Sequence, residues 1–227
     1  MKIKSHQDYK PIKIPRNKKY GNNYWTSIGR KVEFRDVTLY SDLEFDHWLT
    51  VESDNNVDLY CEQPLEITYV LNGKRHTSIF DMWILYKSGE EVFVEVKYES
   101  ELNSTLKKHE RTKRQIQAQK QWCEQNGFNY EVRTEKNIRN GIHKIANLLK
   151  VVSTTSVRNR PTNVDDIYSY INYEIKTILE LQTRIHRYSL YEIITATQWL
   201  YYEGLIDANI NKLIWNCNME VWRNEQI

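Results

Sequence analysis

Ile79-Phe80-Asp81-Met82-Trp83-Ile84-Leu85-Tyr86-Lys87-Ser88-Gly89-Glu90-Glu91-Val92-Phe93-Val94-Glu95-Val96-Lys97 is the stretch that decides the fold. Its second half alternates as a strand does, with Val92, Val94 and Val96 on one face and Glu95 and Lys97 on the other. Lys87-Ser88-Gly89 reads as a three-residue hairpin loop, with Gly89 in the left-handed position such loops favour, so Tyr86 pairs with Glu90. Counting back from that pair puts Asp81 opposite Glu95, on the same face, with Cβ atoms ~5 Å apart. Two carboxylates so placed repel unless a cation lies between them. Hard oxygens of this kind suit Mg²⁺, which rarely receives an all-protein cage. Lys97, one pleat away, reaches an attacking water or a phosphate oxygen.

Outward from this hairpin the chain reads as alternating α and β. Ser41 with Glu44 three residues on is a capping box opening a helix over Tyr40–Leu49. Val57–Cys61 and Leu65–Leu71 read as strands, and Asn72-Gly73 as a type I′ turn into a single strand, Lys74–Tyr86. The next strand is Glu91–Tyr98. Residues 104–126 read as a helix ended by Asn126-Gly127, Phe128–Arg133 as a strand, and Ile138–Val152 as a helix with apolar Ile142, Ile145, Leu148 and Leu149. Residues 153–163 (Ser-Thr-Thr-Ser-Val-Arg-Asn-Arg-Pro-Thr-Asn) have linker composition. Beyond them come a helix of about 20 residues from Val164, a helix Leu190–Glu203 capped by Ser189, and a hairpin pairing Ile210–Trp215 with Met219–Trp222. Helix, helix and small hairpin suggest a winged-helix-like module over 164–227.

The 227 residues are 40% hydrophobic and 27% charged, too apolar for a disordered chain. A mean hydropathy of −0.71 and the lack of any run of ~18 apolar residues argue against a membrane span. The start has no apolar stretch of secretory type. Cys61, Cys123 and Cys217 fit neither a disulfide framework nor a CxxC zinc site and point to a reducing compartment. No GxxxxGK[ST] loop is present, so no nucleotide cofactor is expected by that route.

The net charge of +2 is unevenly spread. Residues 1–31 carry nine Lys and Arg against the single acid Asp8, residues 40–70 carry eight acids and no Lys or Arg, and residues 107–120 carry six bases against Glu110. Two basic blocks around an acidic one suggest a polyanion held beside a carboxylate site. A solvated surface with a basic tail is the plain alternative. Residues 160–227, with six bases and nine acids, are ill suited to holding a duplex; their aromatics (Tyr168, Tyr170, Tyr173, Trp199, Tyr201, Tyr202, Trp215, Trp222) read as core or protein interface. The six histidines show no metal-ligand spacing and read as surface or core residues, with His76 kept as a candidate phosphate contact beside the site.

Asp81, thirteen residues, then Glu95-Val96-Lys97 resembles the Asp…Glu-x-Lys signature of the PD-(D/E)xK nuclease superfamily. With Ser41-Asp42-Leu43-Glu44, Glu62-Gln63-Pro64-Leu65, Asn72-Gly73-Lys74-Arg75-His76, Phe80-Asp81, Gly89 and Val94-Glu95-Val96-Lys97, residues 30–135 resemble the TnsA family, the endonuclease subunits of heteromeric bacterial transposases. Phe80 stands where the nuclease motif usually has Pro. The resemblance implies an α/β, restriction-endonuclease-like mixed sheet flanked by helices, with a small winged-helix-like domain after it. The organisation expected is a basic arm (1–30), an endonuclease domain (31–152), a linker (153–163) and the winged-helix-like domain (164–227).

It further implies catalytic Glu44, Asp81, Glu95 and Lys97. Mg²⁺, with Mn²⁺ as a substitute, would be held by Glu44, Asp81, Glu95 and the Val96 carbonyl. The plain reading of Glu44 remains a capping residue. Gln63 would orient groups near the site, and Arg75, His76, Lys107, Lys108, Arg111 and Arg114 would contact DNA. The activity implied is hydrolysis of the phosphodiester at the 5′ ends of a transposon, leaving 5′-phosphate and 3′-hydroxyl. The partners implied are transposon-end duplex DNA, a DDE-type transposase subunit and an ATP-dependent regulator, in a bacterial cytoplasm close to the nucleoid. A stand-alone nuclease of the same superfamily (restriction or junction-resolving) and a non-catalytic DNA-binding assembly subunit are the alternatives.

Overall fold

A computed structural model describes residues 9–15, 23–103, 109–157 and 159–224. The chain forms two compact units, residues 1–51 with 56–138, and residues 52–55 with 139–227.

The first unit opens with strands β1 (Trp25–Gly29) and β2 (Arg35–Leu39), paired antiparallel around a 3-10 turn at Arg30–Val32. Helix α1 (Asp42–Ser53) follows, then β3 (Val57–Glu62), β4 (Glu66–Leu71), β5 (Lys74–Ile79), β6 (Met82–Tyr86) and β7 (Glu91–Val96). A helical turn, α2 (Glu99–Leu102), precedes the long helix α3 (Glu110–Asn126), strand β8 (Asn129–Arg133) and the short α4 (Glu135–Ile138). The central sheet has the order β3-β6-β7-β8, antiparallel but for the parallel pair β7-β8. It is a mixed sheet flanked by helices, consistent with a restriction-endonuclease-like fold.

The register agrees with the sequence reading. Tyr86 N donates to Glu90 O at 2.9 Å and Gly89 N to Tyr86 O at 2.8 Å, with Gly89 at φ 86°. The pairs Leu85↔Glu91, Ile84↔Val92, Trp83↔Phe93 and Met82↔Val94 follow, and one step further brings Asp81 to Glu95. The β4-β5 hairpin also turns at Asn72-Gly73, both left-handed (φ 51° and 72°) as a type I′ turn requires.

One expectation fails here. Lys74–Tyr86 is not one strand but two, in different sheets, broken at Phe80-Asp81. Phe80 turns fully inward and packs on Phe93 at 4.7 Å between ring centroids, while its N–H donates to Leu65 O at 3.2 Å. The Pro usual at this motif position could not make that bond. Phe80, Trp83, Phe93, Cys61 and Cys123 form the core on one face, with Trp122, Phe128 and Tyr130 packed against it. Tyr9 joins them, 5.0 Å from Trp83, so part of the expected basic arm is packed chain.

The opposite face carries α1. Tyr60, Ile84 and Val92 share that face by pairing, and Trp48 Nε1 donates to Tyr60 Oη at 2.7 Å. His47, also on α1, lies 3.1 Å from Arg133 Nη1; burial and that guanidinium hold it well below the usual imidazole range.

The second unit contains α5 (Lys144–Val157), α6 (Val164–Ser169), β9 (Lys176–Thr177), α7 (Ile178–Arg184), α8 (Leu190–Tyr202), β10 (Ile206–Ala208) and β11 (Glu220–Arg223). Its antiparallel sheet has the order β10-β11-β9. The boundary between units falls at Ile138/Arg139, whereas the sequence reading ran the first domain to 152; the expected linker is helical over 153–157. The expected helix Ile138–Val152 is also two helices, α4 and α5, and Ile142 between them is 90% exposed.

Two more corrections follow from polar side chains. The 20-residue helix from Val164 stops at Ser169: Asn172 Oδ1 accepts from Glu174 N (3.2 Å), and a Thr177–Glu180 capping box starts a separate helix. Segment 210–215 is not a strand; Glu220–Arg223 pairs with Ile206–Ala208 instead. The fully buried Asn147 donates to Ile210 O (2.8 Å) and Leu213 O (2.7 Å) and accepts from Trp215 N (2.7 Å), using those backbone groups outside any ladder.

Candidate active site

Glu95 lies on β7 in the middle of the sheet, on the face covered by α3, and is fully buried. Asp81 follows the Phe80 break, at the entrance to β6. Its Oδ2 accepts from Val96 N at 2.8 Å, which fixes the carboxylate against the neighbouring strand. Lys97 closes the group, with Nζ 2.6 Å from Glu95 Oε1, 3.7 Å from Asp81 Oδ2 and 3.1 Å from the Val96 carbonyl oxygen. One positive atom therefore sits among three oxygens contributed by Asp81, Glu95 and Val96.

The surroundings set the charges. Burial, and after it the charge of Asp81, push the Glu95 carboxyl up to about 7, against the pull of Lys97 and Gln119. Burial lowers the Lys97 ammonium, but Asp81 and Glu95 outweigh it and hold the group above its usual range. Lys97 therefore keeps its proton at neutral pH.

The amides around Glu95 escaped the sequence reading. Gln115 Nε2 donates to Glu95 Oε1 (2.7 Å) and Gln119 Nε2 to Oε2 (2.8 Å). Gln119 also donates to Ser78 Oγ (3.0 Å) and accepts from Tyr130 Oη (2.8 Å). The available signal was spacing: Gln115, Gln119 and Cys123 recur every four residues and form one helix face.

Of the four expected catalytic residues, Asp81, Glu95 and Lys97 come together. Glu44 does not join them here. Its Oε2 accepts from Tyr40 N (3.1 Å) and its Oε1 from Ser41 Oγ (3.1 Å), so it serves the N-terminus of α1, on the other sheet face. Among the described residues, no three His, Cys, Asp or Glu side chains gather closely enough to hold an ion.

Gln63, buried at φ 41°, meets Asp81 through its backbone: Gln63 N donates to Asp81 O at 3.0 Å. Its Nε2 has no hydrogen-bond partner among the described residues. The preceding Glu62 is gripped by Arg35 with two bonds of 2.6 Å.

Arg75 and His76 lie on the exposed β5, His76 stacked 5.6 Å from Tyr69. Arg111 and Arg114 are exposed on α3, Arg114 bonded to Glu110 at 2.8 Å. Lys107 and Lys108 lie outside the described residues. No helix among the described residues is long and apolar enough to cross a membrane.

Residues 54–135 match the family described as TnsA-like endonuclease N terminal. No curated protein matches the chain. The matched residues include Asp81, Glu95, Val96, Lys97 and the three side chains Gln115, Gln119 and Tyr130; Glu44 precedes them. Residues 54–135, which hold Asp81, Glu95 and Lys97, are thus similar to a TnsA-like endonuclease N-terminal domain.

Proposed function

We propose that this protein is a metal-dependent DNA endonuclease subunit of a transposase, hydrolysing the phosphodiester at the 5′ ends of a transposon during cut-and-paste transposition. The observation that carries the reading is the convergence of Asp81, Glu95 and the Val96 carbonyl on the Lys97 ammonium. These donors are all oxygen, and the geometry already favours positive charge at their centre, so they fit Mg²⁺ or Mn²⁺. When bound, such an ion supplies a Lewis acid for the phosphate and a more acidic water.

The chain's own residues do the rest. Asp81, held by Val96 N, and Glu95, held by two amides, present fixed oxygens. Lys97, holding its proton, stabilises negative charge that develops on the phosphate. By the family resemblance Glu44 adds a third carboxylate, although its oxygens here cap α1. The exposed bases of α3 and of the β4-β5 hairpin are assigned to the phosphate backbone.

Residues 164–227 are read as winged-helix-like, supported by their order of helix, strand, two helices and two strands. Its acidic balance favours a protein partner, the DDE-type transposase or the ATP-dependent regulator, over DNA. The test is cleavage of a labelled transposon-end duplex, with the transposase subunit present, in Mg²⁺ and in EDTA. A Mg²⁺-dependent break by the wild type and none by Asp81→Asn supports the reading; equal cutting by both sinks it.

A further inference from the structure

The Glu95 carboxylate is exceptional in this unit for how it is held. It is fully buried, yet among the described residues the side chains bonded to it besides Lys97 are neutral amides, Gln115 on one oxygen and Gln119 on the other. Gln119, itself fully buried, reaches further. Its Nε2 also lies 3.0 Å from Ser78 Oγ and 3.4 Å from Ile79 O, in the strand end that leads two residues later to Asp81. Its Oε1 accepts from Tyr130 Oη on β8. That acceptor role turns the N–H side of the amide toward the carboxylate. One side chain thus ties together the segment before Asp81, the strand bearing Glu95, and the neighbouring β8.

We propose that Gln115 and Gln119, with Tyr130 orienting Gln119, are positioning residues of the cleavage site. They fix the direction of the Glu95 oxygens and, through Ser78 and Ile79, the separation of the two carboxylate-bearing segments. They act through Glu95 and do not touch the phosphate. A glutamate carboxylate otherwise samples several orientations about its side-chain bonds, and groups outside the ligand set that fix a ligand's direction typically change metal affinity 10–100-fold. This inference rests on the nuclease reading above.

The test measures Mn²⁺ affinity of the full-length protein, from the free-ion signal in electron paramagnetic resonance, beside cleavage kinetics. Gln115 is half-buried on the helix, so Gln115→Ala preserves the fold; Tyr130→Phe removes a single hydroxyl. Gln117→Ala, on the exposed side of the same helix, is the control. Gln115→Ala is expected to weaken Mn²⁺ about tenfold and Tyr130→Phe about threefold. Both should recover most of the cleavage rate at saturating Mn²⁺, with KM for DNA unchanged, and Gln117→Ala should match the wild type.

Wild-type Mn²⁺ affinity in both Gln115→Ala and Tyr130→Phe would overturn the inference. So would an equal loss in Gln117→Ala, which would make the effect one of helix stability. A wild-type protein that neither takes up Mn²⁺ nor cuts DNA would defeat the nuclease reading, and this inference with it. Normal wild-type binding and cutting with unaffected variants defeats this inference alone.

Discussion

Two carboxylates in the first unit are buried to the same degree, Glu62 at 1% exposure and Glu95 at 0%, and they are held in opposite ways. Glu62, at the end of β3, is gripped by the two nitrogens of Arg35 at 2.6 Å each, a charge matched by a charge in fork geometry. Glu95 has two neutral amides, a lysine it shares with Asp81, and a second carboxylate close by. The first arrangement is complete: nothing in it calls for another ion. The second keeps two negative groups around one ammonium and pushes the Glu95 carboxyl up to about 7. On the nuclease reading proposed above, the difference separates a carboxylate that holds strands together from one left to meet a metal ion, although both are buried.

The sharpest way to break this contrast is to remove charge on each side. Asp81→Asn keeps an oxygen to accept from Val96 N but loses the charge. Cleavage should fall by about 10²–10³-fold, the scale of losing a preorganised electrostatic group, while the thermal midpoint holds or rises because repulsion with Glu95 is relieved. Arg35→Met should do the reverse. It strands Glu62 as an unpaired buried charge and should cost about 3 kcal/mol in denaturant unfolding, the lower end of the range because Arg35 is partly exposed. Cleavage by its folded fraction should stay near wild type. Loss of folding in the first variant, or loss of cleavage without loss of stability in the second, would erase the distinction.

Glu44 sharpens the comparison from a third side. Glu44→Gln retains an oxygen for Tyr40 N, so the cap should lose less than ~1 kcal/mol. If the carboxylate also serves the ion, as the family resemblance implies, cleavage should drop at least about tenfold at unchanged thermal midpoint. Undiminished cleavage would leave Glu44 a cap alone.

A subtler effect lies in pH. The folded Glu95 carboxyl titrates near 7, above its unfolded value of about 4.5, so between these the folded state binds the extra proton. Stability relative to Glu95→Gln should therefore be greatest below about 4.5, decline as pH rises through that window, and level off above 7. Cleavage at limiting Mg²⁺ should rise over the same window as Glu95 ionises. Thermal midpoints of the two proteins from pH 4.5 to 8 check the sign; a difference that grows with pH contradicts it. The smallest effect expected is at the surface. Gln in place of Lys107, Lys108, Arg111 and Arg114 should flatten the salt dependence of DNA association, by about one unit of log–log slope for each phosphate that is no longer neutralised.

The sequence carried the site further than it carried the fold around it. Alternation in Glu91–Val96 and one glycine at the turn were enough to set Asp81 against Glu95, because strand geometry has a period of two and a hairpin loop fixes the register. The break at Phe80-Asp81 was hidden because an apolar residue between Ile79 and Met82 looks the same in a continuous strand as in a chain crossing between sheets. Gln115 and Gln119 went unnoticed because glutamine on a charged helix reads as surface, and only the buried carboxylate beneath makes it otherwise. In the second unit, Ser189 marked the start of α8 correctly, whereas the loop 210–215 depends on Asn147, over sixty residues away, which no local pattern reveals.

The Lys97 ammonium is the group on which the proposed chemistry turns, since the three oxygens converge on it and its retained proton assigns it to charge stabilisation rather than proton abstraction. The most direct test is single-turnover cleavage of transposon-end duplex by wild type, Lys97→Arg and Lys97→Ala, in Mg²⁺ and with the transposase subunit present. The expected result is Mg²⁺-dependent cutting by the wild type, a loss of about 10²–10³-fold in Lys97→Ala, and partial retention in Lys97→Arg, which keeps the charge but changes its shape. Cleavage by Lys97→Ala at the wild-type rate, or wild-type cutting that persists in EDTA, would contradict it.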